Sequence, residues 1–127
     1  MVVDASEMRL RCLIVDDNSL FLEGSADLLR REGLDVVGVA SNSAQALQLA
    51  SKLQPDVTLV DIDLGDEDGL EVARQLSDIS PYSNVILIST HSEEDLAHLI
   101  AMSPALGFVP KTRLSAQAIR DLLEPAA

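Results

Sequence analysis

Aromatic residues are almost missing from this 127-residue chain. Phe21, Tyr82 and Phe108 are the only three, and there is no Trp. Single-stranded nucleic-acid binding uses aromatic platforms on which bases stack, and this composition does not supply them. Basic residues are also scarce, nine Lys and Arg against 21 Asp and Glu, for a net charge of −12. A surface of that sign repels a phosphate backbone and argues against DNA or RNA as a direct ligand. The single cysteine, Cys12, leaves no internal disulfide, fits a cytoplasmic protein and reads as packing in an apolar run. The longest strongly apolar run, residues 85–88, is far short of the ~20 residues that span a bilayer as a helix. Residues 1–7 are acidic and lack an apolar stretch, so they do not read as a signal peptide.

What is present is ordinary for one folded domain. Hydrophobic residues make up 47% and charged residues 24%, which excludes wholesale disorder. The length suits one domain over residues 1–127.

Five times a short apolar run precedes a segment with helical periodicity. The first run, residues 10–15, ends in Asp16-Asp17, and Asn18 or Ser19 can cap a helix with Leu22, Ala26 and Leu29 on one stripe and Gly33 at its stop. The second, residues 36–40, leads through Ser41 or Asn42 to a helix with Ala46, Leu49, Ala50 and Leu53 on one face and Pro55 at its exit. The third, residues 57–60, ends in Asp61 and is followed by a polar loop and a short helix over about residues 70–76. The fourth, residues 85–88, leads to Ser92, a cap with Glu93, Glu94 and Asp95 in the first turn, where acids suit the helix dipole. The fifth, residues 107–109, precedes a helix opened by Ser115 with Ile119, Leu122 and Leu123 inward. Residues 124–127 read as the start of a linker or an added end. Apolar runs alternating with helices predict an α/β doubly wound parallel sheet, covered on both faces and joined by right-handed crossovers.

Ligands of such sheets bind at the carboxyl ends of the strands. The residues ending the runs are Asp16 and Asp17, Asp61, Ser89 and Thr90, and Lys111. Three carboxylates meeting there resist joint ionisation unless a cation neutralises them. Oxygen donors alone favour a hard ion such as Mg²⁺ or Ca²⁺ over zinc. A carboxylate nucleophile beside such an ion and a lysine suits phosphoryl transfer.

These stretches resemble the receiver domain of bacterial two-component response regulators. They are Leu13-Ile14-Val15-Asp16-Asp17-Asn18, Val60-Asp61-Ile62-Asp63-Leu64 with Asp68-Gly69-Leu70, Ile88-Ser89-Thr90, and Gly107-Phe108-Val109-Pro110-Lys111. The resemblance runs from Leu10 to Leu123. It implies a (βα)5 flavodoxin/CheY-like fold of strand order 2-1-3-4-5, with no external substrate turned over. It implies a phosphoryl group donated by a sensor histidine kinase to Asp61, with Mg²⁺ required. Asp17 would hold Mg²⁺ directly, Asp16 partly through water, and Asp63 through its carbonyl. Thr90 would hydrogen-bond the phosphoryl group, Lys111 would pair with a phosphoryl oxygen, and Phe108 would be the aromatic switch. The fourth helix, fifth strand and fifth helix would form the responsive surface, with Met102, Ala105 and Leu106 offering a partner or homodimer contact. Residues 90–95 and 107–114 are most similar to receivers of the NarL/FixJ subfamily, which carry LuxR-type helix-turn-helix output domains and regulate transcription. No such domain lies within these 127 residues.

Three positions depart from the family pattern. Thr112 rather than Pro follows Lys111, Gly65 stands where Pro is usual after the phospho-acceptor, and Ser103-Pro104 replaces a Gly at the end of the fourth helix.

Other readings compete. Asp61-Ile62-Asp63 also matches the nucleophile motif of haloacid-dehalogenase-like phosphatases, but it lies mid-chain, the acid pair precedes it, and no cap domain fits the length. A degenerate receiver used only as a docking module is a third reading, and the full acid set with Lys111 argues against it; the chain is either a piece of a longer protein or a stand-alone receiver. A calcium loop beginning at Asp61 fails, because Asp66 falls where the required Gly belongs and Val72 where the bidentate Glu belongs. Ser89 competes with Thr90 for the switch hydroxyl; alternation puts Leu87 and Ser89 on one face, and with the family alignment that favours Thr90. His91 and His98 lack partners in the sequence and read as surface residues.

Overall fold

The computed structural model describes residues 9–124. The leader reading at residues 1–7 and residues 125–127 of the linker read at 124–127 lie outside the described residues; Glu124 itself ends the last helix, its N–H donating to the Arg120 carbonyl. Among the described residues seven strands, five α-helices and one 3-10 turn follow in order. β1 (Arg11–Val15), β2 (Asp35–Ala40), β3 (Val57–Asp61), β6 (Asn84–Ser89) and β7 (Gly107–Pro110) form one parallel sheet, ordered β2-β1-β3-β6-β7. This is the expected order 2-1-3-4-5, with β6 and β7 as the fourth and fifth strands. β4 (Asp63–Leu64) and β5 (Glu67–Asp68) form a small antiparallel hairpin directly after β3. The polar sequence of that stretch predicts a loop, and the structure pairs Asp63 with Asp68 and Leu64 with Glu67 within it.

The strands form because their residues are apolar on both faces. Cys12 to Val15, Leu59 to Val60 and Ile86 to Ile88 are all fully buried. Alternation along each strand sends successive side chains to opposite faces. One face holds Ile14, Leu59, Ile86, Ile88 and Val109 under α1 (Ser19–Arg31) and α5 (Ala116–Leu123). The other holds Leu13, Val15, Val60, Leu87 and Phe108 under α2 (Ser43–Leu53), α3 (Gly69–Ile79) and α4 (Glu93–Met102). Burial of the Cys12 thiol pushes its pKa up to about 12, so the side chain behaves as core.

Each helix starts on a side chain that accepts a hydrogen bond from the backbone N–H groups of its first turn: Asn18, Asn42, Asp68, Ser92 and Ser115. Glu32 closes α1 and is followed by Gly33 at φ 98°, the left-handed position that a glycine occupies without Cβ strain. α3 is longer than the expected 70–76, because Gly69 opens it against β3 and a polar tail carries it to Ile79. The exit of α4 is rebuilt by Ser103, whose hydroxyl donates to the Ile100 carbonyl at 2.7 Å and accepts from the Ala105 N–H. α4 has no fully buried residue. Of its apolar side chains only Leu96 and Ile100 pack against the core.

Candidate functional site

The chain moves outward in both directions from β1 and β3, which makes the carboxyl ends of these neighbouring strands the switch point of the sheet. Asp16 follows β1 and Asp61 ends β3. Both share the parity of Ile14 and Leu59, so both side chains lie toward the α1 face. Both are buried acids. Lys111, just past β7, reaches across to them from the far strand.

The Lys111 Nζ donates to Asp61 Oδ2 at 3.0 Å and lies 2.5 Å from Asp16 Oδ2. Asp61 Oδ1 accepts from the Asp63 N–H at 3.0 Å, and Asp16 Oδ1 accepts from the Asn18 N–H at 2.9 Å. Asp16 Oδ2 is buried and receives no well-aligned hydrogen bond; the lysine ammonium is its counter-charge. Asp17 is exposed and stands at the mouth. One carboxylate oxygen from each of Asp16, Asp17 and Asp61 lies within 4.8 Å of the others.

The electrostatics follow from this crowding. Burial is the largest influence on Asp61 and raises its carboxyl pKa above the ordinary value, and the charge of Asp16 adds to the rise. The Lys111 ammonium and the Asp63 N–H pull the other way without cancelling it. For Lys111, burial acts to lower the pKa, but contact with Asp16 and Asp61 outweighs burial and holds it above the ordinary lysine value.

Some contacts were not visible in the sequence. Lys111 Nζ sits 4.4 Å from the centroid of the Phe21 ring, a cation–π contact that covers the ammonium from the α1 side. Phe21 is one of three aromatics and lies in the first helical turn after the acid pair, but nothing in the sequence pairs it with position 111. Glu67 on the hairpin accepts from both the N–H and the hydroxyl of Ser43 at the start of α2. Those bonds lower its carboxyl pKa and tie the loop after Asp61 to the neighbouring helix. Gly65 turns the hairpin at φ 65°, and a Cβ there would come within 3.0 Å of Asp17 Oδ2.

The remaining expected residues fall as follows. Asp63 meets Asp61 through its backbone, while its exposed side chain lies 3.4 Å from His91 Nε2, a partner that neither residue showed in sequence. Phe108 is buried opposite Leu87 in the β6–β7 register. Thr90 lies one residue beyond β6 and is exposed. Ser89 ends β6, is fully buried, and its hydroxyl accepts from the His91 N–H at 3.0 Å. It shares the parity of Leu87, so Ser89 and Phe108 occupy one face of the sheet. Lys111 to Arg113 form a 3-10 turn, which is how the chain leaves β7 where Thr112 replaces the usual Pro.

Residues 12–124 match the family described as the response regulator receiver domain. The chain belongs to that family. NarL of Mycobacterium tuberculosis, a probable transcriptional regulatory protein, is 32% identical over 119 residues, which cover 93% of this chain and 55% of that protein. The solved receiver domain of NarL from the same organism superposes with a TM-score of 0.78 at 31% identity, covering 91% of this chain and 94% of that one. A response regulator from Burkholderia pseudomallei, solved with a phosphorylated aspartic acid, a calcium ion and citrate, superposes with a TM-score of 0.79 at 26% identity, covering 91% of this chain and 66% of that one. This receiver spans about half the length of the transcriptional regulators it matches, 49%, 55% and 52% for three of them. Protein-glutamate methylesterases also occur among its relatives, with 27% and 30% of their length matched. Membership of the receiver family sets the haloacid-dehalogenase reading aside. Among the described residues no helix is long and apolar enough to cross a membrane.

Proposed function

We propose that Asp61 accepts a phosphoryl group from a phosphohistidine of a sensor kinase, in the cytoplasm, and that the added charge resets the α4–β7–α5 face to control transcription through an output domain. The observation that carries this reading is the buried Asp61 carboxylate held 3.0 Å from Lys111 within a cluster of three acids at the switch point of the sheet. In the transfer, a carboxylate oxygen of Asp61 bonds to phosphorus as the histidine N–P bond breaks, and the departing imidazole takes up a proton.

The donor set fits a hard divalent ion. Its ligands are carboxylate oxygens that converge within 4.8 Å, and the buried Asp16 Oδ2 lacks a hydrogen-bond partner. Asp16, Asp17 and Asp61 would hold Mg²⁺ with the Asp63 carbonyl as a further donor; when bound, the ion supplies charge neutralisation at the phosphoryl oxygens. The chain's own residues do the rest. Lys111 opposes the effect of burial on Asp61 and is placed to follow the charge onto a phosphoryl oxygen. The Asp63 N–H fixes the carboxylate plane.

Ser89 is the better placed switch hydroxyl, because it is buried at the strand end on the face that Phe108 occupies, whereas Thr90 is exposed. Movement of Ser89 toward the phosphoryl group would be felt by Phe108 and then by α4, which is lightly anchored. Met102 and Leu106, 74% and 45% exposed, give that face apolar surface for a second copy or a partner. The deciding experiment is incubation with acetyl phosphate and Mg²⁺, read by intact mass. Wild type gains one phosphoryl group and Asp61→Asn gains none. Labelling of Asp61→Asn at the wild-type level would place the acceptor elsewhere.

A further inference from the structure

The hairpin that follows Asp61 and the first turns of α4 enclose an open groove of about 520 Å³, and of its lining residues only Asp63, through its main chain, also serves the phospho-acceptor site. Its floor is apolar, made by Ile62, Leu70, Leu96 and Leu99. Its rim carries Asp63, Asp66, Glu67, Asp68 and Asp95, and no Lys or Arg lines it. His91 is the one lining side chain able to become positive. The α4 wall is incompletely packed: the helix buries no residue fully, and Leu99 remains 44% exposed.

The charge and shape together restrict what can fill the groove. Negative rims repel nucleic acids, anionic lipids and phosphorylated peptides. A chelated cation does not fit either. Among the described residues the one cluster with ligand atoms close enough to converge on an ion is Asp16, Asp17 and Asp61, and none of these lines the groove. The rim acids are spread along an apolar floor instead. That arrangement complements separated positive charges flanking apolar side chains.

We propose that this groove docks a short basic amphipathic helix of a partner protein, with its Leu-type side chains on the floor and its Lys or Arg side chains along the rim. The mode is the familiar one of an amphipathic helix laid in a groove, with charge setting partner choice and apolar contact setting residence. Met102 and Leu106 of the α4–β7–α5 face do not line the groove, although α4 contributes to both surfaces.

The probe is a fluorescein-labelled Leu/Lys peptide with helical periodicity, about four turns long, titrated into the whole chain by anisotropy at roughly physiological salt. Three variants separate the possibilities: Asp66→Lys with Asp95→Lys in the rim, Leu99→Gln in the floor, and Glu23→Lys with Asp121→Lys as a remote pair of equal charge change. The rim pair should weaken binding about ten-fold and Leu99→Gln several-fold, while the remote pair changes it by less than about two-fold. Backbone amide shifts on titration should cluster in residues 62–70 and 91–99. Equal losses in the rim and remote pairs would reduce the effect to net charge and overturn the proposal. So would an inert Leu99→Gln, shifts confined to other faces, or self-association of the chain abolished by Leu99→Gln.

Discussion

The Cα of Gly69 faces the main chain of Asp61 so closely that a Cβ on it would lie 1.9 Å from the Asp61 carbonyl oxygen. The Gly69 N–H also donates to the Ile62 carbonyl at 2.9 Å. The first turn of α3 is thus packed against the backbone of the acceptor residue, and only a residue without a side chain permits it. The obstacle is main chain rather than a flexible tip, so relief requires the strand end or the helix to shift.

Gly69→Ala should therefore lose about 1–3 kcal/mol of stability in urea unfolding, and its acetyl phosphate labelling should slow because Asp61 moves with its carbonyl. Gly24→Ala serves as the control, since a Cβ there meets nothing within 4 Å. Equal midpoints for Gly69→Ala and wild type would show that the close approach does not constrain the site.

Lys111→Met removes the ammonium that holds two buried acids. Breaking a buried pair leaves uncompensated charge, and with a side chain 12% exposed the loss should fall near the lower end of the usual ~3–5 kcal/mol. Added Mg²⁺ should restore part of that loss, because a cation in the acid cluster takes over some of the compensation. Thermal melts with and without the ion test both statements. A variant as stable as wild type in chelator would mean that Asp16 and Asp61 are screened by something other than Lys111.

Asp17 supplies the exposed member of the same cluster, so its loss should cost little stability in chelator while abolishing the response to metal. Wild type should melt higher as Mg²⁺ is added, by about 2.7 kcal/mol at a free concentration one hundred times Kd. Asp17→Ala should show a melt that is nearly flat against Mg²⁺. A full metal response in Asp17→Ala would remove Asp17 from the donor set.

The buried strands and the residues that end them are legible because the apolar runs stop abruptly, at Asp16, Ser41, Asp61 and Ser89, and at Pro110 just before Lys111. Asp16, Asp61 and Lys111 needed only the strand order to be brought together. What escaped the sequence is non-local or short. The β4–β5 hairpin has two residues per strand, too few for alternation to register, and the tie from Glu67 to Ser43 joins positions 24 apart. Phe21 lies beside the Leu22, Ala26 and Leu29 stripe, so its place under Lys111 depends on where β7 delivers the lysine. Ser89 and Thr90 are adjacent hydroxyls, and which one is buried depends on whether the strand runs one residue past the apolar run. It does, through pairing of Ser89 with Pro110.

The raised Asp61 pKa gives a pH dependence of definite sign. Between the ordinary aspartate value of ~3.9 and the raised folded value, the folded state binds more protons than the unfolded state. Stability due to this group therefore falls as pH rises through that window, and its cost is complete above it. Asp61→Asn carries no such cost. In chelator it should melt above wild type at neutral pH, with the gap closing as pH drops below the ordinary aspartate range. Lys111 acts at the alkaline end. Its stabilisation is complete below the ordinary lysine value and is lost as pH rises through the raised folded one. Superimposable wild-type and Asp61→Asn melts at neutral pH would show that the acid crowding is relieved in solution.

Ser89 and Thr90 make opposite predictions for the switch. The Ser89 hydroxyl is buried and holds the His91 N–H at 3.0 Å, so Ser89→Ala should cost about 0.5–1.5 kcal/mol, whereas Thr90→Ala, at an exposed position, should cost almost nothing. Neither substitution removes a group that contacts the Asp61 carboxylate, so both variants should still take one phosphoryl group from acetyl phosphate. The difference should lie in the response. Amide hydrogen exchange across α4 and β7 should change on phosphorylation in wild type and Thr90→Ala and stay unchanged in Ser89→Ala, because Ser89 alone of the pair shares the Phe108 face. The reverse pattern, a silent Thr90→Ala and a responsive Ser89→Ala, would return the role to Thr90, which has the parity of Ile88 on the face that Asp61 shares.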